Sequence, residues 1–528
     1  MPLSVPETPP DVWPETEQAG PRSPRATYGQ VLKSSAMVGG AQTLNIGIGI
    51  LRTKAMAVLL GPAGFGLFGL YSSISSLAQT LAGMGVNNSG VRQIAAAMAT
   101  GDDRCIARTV FVLRRISLLL GFIGAALTAL FSRQISILTF GDAKRSAAIS
   151  WLSISVFLML VSASQAALIQ GMRRILDFAK IQIFGALFGT IVGIPLVYVF
   201  RQQGVVPSLI CVAAMTMLMS WRYSRVIAPA GREKVSLSAA EIAKEAQPLL
   251  KLGVAFTVSG FTTLGVAYAI RVTILQKMGL AATGLYQSAW TLGGLYVGFI
   301  LQAMGADFYP RLSGSADNNS ECNRLVNEQS RVGILLAGPG VLASVTLAPL
   351  VMRVFYSSSF ATAVPMLRWI CFGAMVQVIS WPMGFIIIAK AKQLLFISCE
   401  LAWGVVSIGL AWMCIARFGL VGAGIAFFGS YAFHTAMLYG VVRHLSGFRW
   451  SPPNWRSGLI SLSIATVVLS GFYLLPPFVG FILGSAATIL HCGYSLKALT
   501  SLFSADEIPA PIARLLGSCG WRSRQNAG

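Results

Sequence analysis

Residues 51–67 of the chain read LRTKAMAVLLGPAGFGL. The stretch places two cations, Arg52 and Lys54, within an apolar run that a glycine–proline pair then interrupts. A helix that crosses a bilayer needs about 20 predominantly apolar residues, and this run completes such a segment, residues 36–60. The next apolar run, 65–85, begins shortly after the break. We therefore expect two membrane spans joined by a tight turn.

The same apolar pattern continues along the whole sequence. Of 528 residues, 55% are apolar and only 11% are charged, well under the roughly 25% that is usual in soluble domains. This composition excludes an ordinary soluble enzyme, a disordered protein and an isolated nucleic-acid-binding domain, and the long runs exclude an outer-membrane barrel. The sequence predicts an all-α polytopic membrane protein of fourteen spans, at about residues 36–60, 65–85, 109–131, 147–169, 181–199, 205–223, 249–276, 281–304, 332–352, 365–388, 394–416, 420–442, 458–475 and 478–496.

The net charge of +22 results from 40 Lys and Arg against 18 Asp and Glu. A balance this basic raises the question of a nucleic-acid partner. With the N-terminus assigned to the cytoplasm, most of the Lys and Arg fall in cytoplasmic loops, as the positive-inside rule requires. The charge is therefore largely a topology signal, and we expect both termini in the cytoplasm and no nucleic-acid partner.

An internal repeat relates the two halves of the chain. The segment from Leu32 to Ile94 recurs from Leu250 to about Leu312, and the matched residues are Leu51-Arg52 with Ile270-Arg271, Gly61 with Gly279, Gly66-Leu67-Phe68 with Gly284-Leu285-Tyr286, and Met84-Gly85 with Met304-Gly305. Because an even number of spans separates the copies, both enter the membrane in the same direction, as in the parallel repeats of transporters. This arrangement predicts two six-helix lobes around a central cavity. The cavity would open by rigid-body rocking of the lobes.

The repeat divides the chain into six parts. We expect a disordered N-terminal tail, a charged linker between the lobes, two helices outside the repeat and a C-terminal tail. The expected parts are a cytoplasmic tail 1–28, an N-terminal lobe 29–223, a cytoplasmic linker 224–248, a C-terminal lobe 249–445, two extra transmembrane helices 446–500 and a cytoplasmic tail 501–528.

Three cations inside the predicted spans form our candidate anion-binding site. Arg52 precedes the end of its helix by eight residues, a depth of roughly 12 Å. Arg271 is its repeat partner, and Lys54 follows two positions after Arg52. Ionisable groups at bilayer depth are costly and usually functional, and the flat fork of a guanidinium suits phosphate oxygens. The alternative is that these side chains extend to the membrane surface.

Only one of the acids, Glu400, lies within a predicted span. Because no carboxylate pair is available there for acid–base chemistry, we expect a transporter and not an enzyme. Glu400 is a candidate for carrying a coupling proton or Na⁺. An interfacial ion pair with Lys390 or Lys392 is the alternative interpretation.

The remaining polar groups in the spans are uncharged. Gln79 and Gln302 are candidates for contacts with a glycan, with hydrogen bonds between helices as the alternative. His434 and His491 are isolated and are expected to be packing residues, and the cysteines show no metal-ligand spacing. We therefore expect no metal and no cofactor, apart from coupling to an H⁺ or Na⁺ gradient.

Three stretches resemble motifs of one family, the polysaccharide transporters or O-antigen translocases. These are lipid-linked oligosaccharide flippases of the multidrug/oligosaccharidyl-lipid/polysaccharide exporter superfamily. The resemblance spans about residues 30–445 and is carried by the opening stretch 51–67, by Gly284-Leu285-Tyr286-Gln287 with Ala303 to Leu312, and by Trp369, Ile379-Ser380-Trp381-Pro382 and Ala389-Lys390-Ala391-Lys392.

The resemblance implies two six-helix lobes that form a V around a cationic cavity. It implies the flipping of an undecaprenyl-diphosphate-linked oligosaccharide, an O-antigen or exopolysaccharide repeat unit, from the cytoplasmic to the periplasmic leaflet of the bacterial inner membrane. Arg52, Lys54 and Arg271 would hold the diphosphate. The implied partners are this glycolipid, membrane lipids and other polysaccharide assembly proteins.

The two extra C-terminal helices depart from the family pattern of about twelve. A total of fourteen helices is closer to the number in the peptidoglycan-precursor flippases of the same superfamily. A drug or metabolite antiporter of the superfamily is the alternative function. Cationic drugs would favour acids in the cavity, and this chain offers few.

Overall fold

The computed structural model describes residues 24–225 and 238–502, and these ranges form helices joined by short connections. In the first half the helices are α1 Pro24–Gly83, α2 Val86–Thr100, α3 Asp103–Leu130, α4 Ser132–Phe140, α5 Ser146–Gly171, α6 Ile175–Phe200 and α7 Val205–Arg225, with a 3-10 turn at Arg201–Gly204 between the last two.

The second half contains eight more helices. They are α8 Ala239–Gly314, α9 Asn319–Thr346, α10 Ala348–Phe355, α11 Val364–Ala389, α12 Gln393–Phe418, α13 Val421–Ser446, α14 Pro452–Leu474 and α15 Pro477–Thr500, with a 3-10 segment at Ser358–Ala363. Residues 1–23, 226–237 and 503–528 lie outside the described residues. Most of the N-terminal tail with its expected disorder, nearly all of the C-terminal tail, and 226–237 of the expected linker 224–248 fall there, and these calls stay predictions. At the first boundary, α1 already begins at Pro24, within the expected tail.

All fourteen predicted spans lie on these helices. In the described ranges, nine helical stretches are long and apolar enough to cross a membrane, and a tenth qualifies if α9 and α10, bent by 79° at their junction, form one span. Two of the nine, Leu44–Gly83 and Leu176–Arg225, are 40 and 50 residues long, about twice what one crossing needs. The prediction of an all-α, many-span membrane protein is confirmed.

The internal repeat reappears as a pair of matching kinks. Helix α1 breaks at Gly61, with φ 63° and ψ −176°, and α8 breaks at Gly279, with φ 83° and ψ −179°. This region of backbone conformation is essentially restricted to glycine. Each long helix is therefore two spans joined at a residue that only glycine fits. The repeat preserves the bend because the backbone conformation requires it.

The two lobes meet through the kinked helices. In the N-terminal lobe (α1–α7), α1 packs on α3, α5 and α6, and α5 and α6 both pack on α7. In the C-terminal lobe (α8–α13), α8 packs on α9, α11 and α12, and α13 packs on α11 and α12. The principal contact between the lobes is that of α1 with α8. The repeat-matched pair of helices thus lines the path between the lobes.

Helices α14 and α15 form a hairpin outside the two lobes. Each is long enough to cross a membrane, and Pro476 and Pro477 lie in the tight turn between them. The hairpin packs chiefly on α9. Within it, His491 is fully buried and is hydrogen-bonded to Ser461 and Ser495. His491 is therefore a packing residue, as its sequence context indicates.

Candidate substrate pathway between the lobes

At one end of the lobe interface, two repeat-matched glycines bring the helix backbones together. A Cβ atom on Gly66 would overlap the carbonyl oxygen of Leu280 and press on the amide of Gly284. A Cβ atom on Gly284 would overlap the carbonyl oxygen of Pro62 and press on the amide of Gly66. The contact is reciprocal, as at a two-fold axis. Only glycine at both positions allows this approach.

Aromatic side chains close the same end of the interface. Phe65 of α1 makes edge-to-face contacts with Tyr356 and Phe360 of the C-terminal lobe, with ring centroids 5.4 and 5.8 Å apart. All three rings are buried to 98% or more. Aromatic pairs in this geometry stabilise a contact beyond the area that they bury. This end of the path is closed.

The opposite end is closed as well. Gly85, which follows α1, lies so close to Gly253 of α8 that a Cβ atom on either would overlap the other's backbone or that of Met84. An ion pair between Arg108 of α3 and Glu245 of α8 lies at the same end. The lobes therefore touch at both ends, and the space between them is divided into separate cavities.

Arg271 is the buried cation of this interface, and only 6% of its surface is exposed. Its Nε donates to the side-chain oxygen of Gln287 at 2.7 Å, and its Nη1 donates to the carbonyl oxygen of Ala267 at 2.8 Å. The rings of Tyr286 and Trp290 lie 5.7 and 6.0 Å from the guanidinium carbon, within reach of a cation–π interaction.

Within the part of the chain that the structure describes, Arg271 has no ion pair with a carboxylate, and its Nη2 has no hydrogen-bond partner. Gln287, which holds the guanidinium, faces Gly69 of α1 across the interface, where a Cβ atom would meet its side-chain oxygen. Arg271 is therefore fixed by neutral groups beside the lobe contact. No acidic side chain among the described residues neutralises its charge.

Arg52 and Lys54 lie on different faces of α1, because side chains two positions apart on a helix do not face each other. Arg52 is half-buried and forms no hydrogen bond or ion pair with the described residues. Lys54 is exposed on a face with Leu51 and Val58, beside Tyr198 of α6. Arg52 is thus a second unpaired cation within the bilayer region, whereas Lys54 lies on an exposed apolar surface.

Two adjoining cavities of about 300 and 200 Å³ lie in the C-terminal lobe. Both are lined by Thr263, Gln377, Trp403 and Tyr431, and the smaller one reaches Ala267, whose carbonyl oxygen holds Arg271. The larger one contains Glu400.

Glu400 faces a histidine in the larger cavity. The distance from its Oε1 to the Nε2 of His434 is 3.8 Å, and neither ring nitrogen of His434 has a hydrogen-bond partner in the described ranges. Lys390 instead donates to the carbonyl oxygen of Ala316. The ion pair with Lys390 or Lys392, the alternative considered from the sequence, is not formed by the residues described.

A third cavity, of about 340 Å³, lies against the N-terminal lobe and is closed on one side by α8. Gln79 lines it, and its amide nitrogen donates to the hydroxyl of Ser75 within α1. The other candidate glutamine, Gln302, is exposed and lines none of the three cavities described above. The two glutamines therefore do not share a site in this conformation.

Two residues of the pathway were missed as site residues in the sequence. Gln287 is the last residue of the family motif Gly284-Leu285-Tyr286-Gln287 and lies one span beyond Arg271. That motif could have identified Gln287 as a site residue. His434 lies on α13 and Glu400 on α12. Nothing in the spacing of that pair along the chain indicates that the two side chains meet.

Two similar helical bundles are in contact along a matched pair of kinked helices. Each bundle has a polar cavity, and the buried cation Arg271 lies beside the contact. These features define a two-lobe membrane transporter. A family's sequence model, described as "Polysaccharide biosynthesis protein", matches residues 55–365, which is more than half of the chain. The chain belongs to this family of polysaccharide biosynthesis proteins.

Individual relatives agree with that assignment. The chain is 23% identical to the lipid III flippase of Escherichia coli (strain K12) over 444 residues, which cover 78% of this chain and 97% of the relative. The lipid III flippase of Shigella flexneri is similar to the same extent. These names are those of flippases, so they agree with the prediction of a transporter rather than an enzyme.

Solved structures show the same fold. The lipid II flippase MurJ, in an inward closed conformation, has a TM-score of 0.65 at 12% identity. The match covers 88% of this chain and 100% of the MurJ chain. An inward-facing multidrug resistance MATE transporter of the MOP superfamily has a TM-score of 0.60 at 15% identity. The match covers 75% of this chain and 95% of the MATE transporter. The chain therefore has the fold of these flippases and transporters.

Proposed function

We propose that the protein flips an undecaprenyl-diphosphate-linked oligosaccharide from the cytoplasmic to the periplasmic leaflet of the bacterial inner membrane. The cargo in this proposal is an O-antigen or exopolysaccharide repeat unit, and both termini are cytoplasmic. Support comes from the family, which is one of polysaccharide biosynthesis, and from relatives that are named as flippases of lipid II and lipid III. These relatives make lipid-linked glycans the cargo class favoured for this chain.

The observation that carries the proposal is the unpaired charge of Arg271. A buried cation without a carboxylate partner is costly, by about 3 kcal/mol or more at the centre of a membrane helix. The cost falls when an anion binds, and a diphosphate supplies acceptors for the planar fork of donors. Arg52, its repeat partner, is the second residue of the proposed clamp. Lys54 has a secondary role in this scheme, close to the lipid-facing surface.

In the proposed mechanism the lobes open alternately at the two closures described above. Opening at Gly85 and Gly253 admits the glycolipid from the cytoplasmic side. Opening at Gly66 and Gly284, with withdrawal of Phe65, releases it on the other side. The prenyl chain stays in the lipid while the diphosphate follows the arginines. Such rocking of one lobe against the other is the usual motion of transporters with repeats.

We further propose that Glu400 couples transport to an ion gradient, with a proton or Na⁺ as the ion. An acid within the membrane that faces a cavity is a functional candidate by default. Its partner His434 and the indole nitrogen of Trp403 have no hydrogen-bond partner in the described ranges, so the cavity has spare polar groups. The smaller cavity, which shares lining residues with that of Glu400, reaches the backbone that holds Arg271. The two adjoining cavities provide a physical route from ion binding to the cargo site.

The experiment that tests the function is deletion of the gene, followed by mass spectrometry of the membrane lipids. The proposal expects a diphosphate-linked oligosaccharide to accumulate and surface glycan to disappear, and both should be restored by the wild-type gene. An unchanged lipid-linked pool with unchanged surface glycan would contradict the proposal. Increased sensitivity to cationic drugs without glycan accumulation would favour the drug antiporter instead.

A further inference from the structure

The cavity of the N-terminal lobe has a chemistry distinct from that of the arginine site. Its volume of about 340 Å³ is within the range of small-molecule pockets. No charged side chain lines it among the described residues. The polar side chains that line it are hydroxyls and amides: Ser76, Gln79, Thr80, Asn87, Asn88, Ser117, Ser164 and Thr257.

Several of these groups are not used by the fold. Ser117 is 95% buried and yet forms no hydrogen bond with any residue that the structure describes. Ser76 and Thr80 likewise lack the bond to a preceding carbonyl oxygen that helical serine and threonine often make, whereas Thr257 does make it. These groups are therefore available to a polar ligand in the cavity.

The internal repeat shows that helix packing does not require this polarity. Residues 76–80 read SLAQT, and their repeat copy within residues 294–300 reads GLYVGFI. The copy contains one polar side chain, Tyr296, whose hydroxyl donates to the carbonyl oxygen of Leu336. The same helix positions are thus filled by apolar residues in the C-terminal lobe. The polar side chains of this stretch are therefore particular to the N-terminal lobe.

Donors and acceptors without charge are suited to the hydroxyl and acetamido groups of neutral sugars. A metal ion or an organic cation would favour carboxylates, and a phosphate would favour Lys or Arg. Gly85 belongs both to the cavity wall and to the contact with Gly253. Separation of these two glycines would therefore open the cavity at the lobe interface.

The position of the cavity along α8 sets which sugar can reach it. Gly260, which lines the cavity, precedes Arg271 by eleven residues, or about 16 Å along a helix at 1.5 Å per residue. A sugar linked directly to a diphosphate on Arg271 would not extend that far. We infer that the N-terminal cavity binds an uncharged sugar of the lipid-linked oligosaccharide, at a distance from the diphosphate. This inference rests on the proposed function and names a second, glycan-specific part of its site.

The test measures binding of two lipids to the purified full-length protein in nanodiscs. One lipid is undecaprenyl diphosphate, and the other is undecaprenyl diphosphate that carries a neutral trisaccharide. The variant Thr80→Val with Ser117→Ala removes two hydroxyls without adding volume to the buried wall of the cavity. The matched control is Thr190→Val, which removes a buried hydroxyl that bonds to Ala186 outside the cavity.

We expect the wild type to bind the trisaccharide lipid more tightly than undecaprenyl diphosphate. The double variant should lose roughly ten-fold in affinity for the trisaccharide lipid, as expected for two hydrogen bonds. Its unchanged affinity for undecaprenyl diphosphate would show that it is folded, and the control should bind both lipids as the wild type does. Equal binding of the trisaccharide lipid by double variant and wild type would overturn the inference. A wild type that binds neither lipid would instead contradict the proposed function.

Discussion

Gly66 and Gly284 occupy matching positions in the two repeats and touch each other across the lobe interface. Each is in contact with the other's backbone, so the pseudo-symmetry axis of the repeat passes through this contact. The neighbouring Phe65 completes the closure against Tyr356 and Phe360. The lobes can approach here only because neither position has a side chain. This closure therefore depends on two glycines, at positions where any other residue would have a Cβ atom.

The first prediction concerns this closure. Gly284→Ala places a Cβ atom against the carbonyl oxygen of Pro62, a rigid backbone group, so the lobes should stay apart at this end. We expect transport to fall by roughly ten-fold, since overpacking of this kind costs about 1–3 kcal/mol. Labelling of Phe360→Cys by a membrane-impermeant maleimide should increase. The control is Gly298→Ala on the same helix, where a Cβ atom meets open space; if both variants label and transport alike, the closure is misassigned.

The second prediction separates backbone strain from packing. A Cβ atom on Gly279 would meet nothing within 4 Å, yet its φ is +83°. Gly279→Ala should therefore destabilise the protein by about 1–3 kcal/mol through backbone conformation alone. Thermal unfolding in detergent measures the effect, with Gly298→Ala again as the control. Equal stability of the two variants would show that the kink does not require glycine.

The third prediction concerns the guanidinium. Arg271→Lys keeps the charge but loses the planar fork that bonds to Gln287 and Ala267, so the variant should lose affinity for undecaprenyl diphosphate. Arg271→Ala should reduce it further, by roughly 100-fold. The control is Arg368→Lys, which changes an embedded arginine that bonds to Val345 and lies over Phe472. Wild-type affinity in Arg271→Ala would exclude a role in anion binding.

The fourth prediction concerns energy coupling through Glu400. If this carboxylate carries the ion, Glu400→Gln should make the transport rate independent of an imposed H⁺ or Na⁺ gradient. The reason is that the neutral amide neither takes up a proton nor provides a negative charge for Na⁺. Proteoliposomes with the gradient imposed or collapsed measure the dependence. Glu328→Gln is the control, because Glu328 is an exposed acid paired with Arg324. A Glu400→Gln protein that still responds to the gradient as the wild type does would rule out the coupling role.

The fifth prediction concerns attachment of the α14–α15 hairpin. Asn327 of α9 donates to the carbonyl oxygen of Arg449 and accepts from the backbone nitrogen of Ser451 and the side chain of Asn454. Asn327→Leu should destabilise the protein by about 2–3 kcal/mol, because it leaves these groups without partners. Limited proteolysis between α13 and α14 should become faster. Unchanged proteolysis and thermal stability would show that the hairpin is held by its apolar contacts alone.

The sequence predicted the helical spans and the repeat because both depend on local features. Apolar runs of sufficient length indicate spans, and the matched positions of Gly61 and Gly279 in the two repeat copies indicate the matching bends. The short helices α4 and α10 were not expected, because eight or nine residues carry too little periodicity to be recognised. An element was predicted where its residues carry a local pattern, and it was missed where they do not.

The candidate site was harder to predict, because it depends on contacts between distant helices. Arg52 and Lys54 are almost adjacent in sequence, yet α1 turns them to different faces. For Glu400 an ion pair with Lys390 or Lys392 was the alternative interpretation, but the fold brings its carboxylate to His434. The depth of a charge can be read from the sequence, whereas its partner is decided by how the helices pack.

The most direct test of the central claim is a flipping assay in proteoliposomes. Undecaprenyl diphosphate that carries a neutral trisaccharide is incorporated with the wild type, with Arg271→Ala or with Arg368→Ala, and a glycosidase added outside reports how much glycan crosses the bilayer. The account predicts rapid crossing with the wild type and Arg368→Ala, and crossing at the protein-free rate with Arg271→Ala. Protein-free rates with the wild type, or equal crossing with Arg271→Ala, would contradict it.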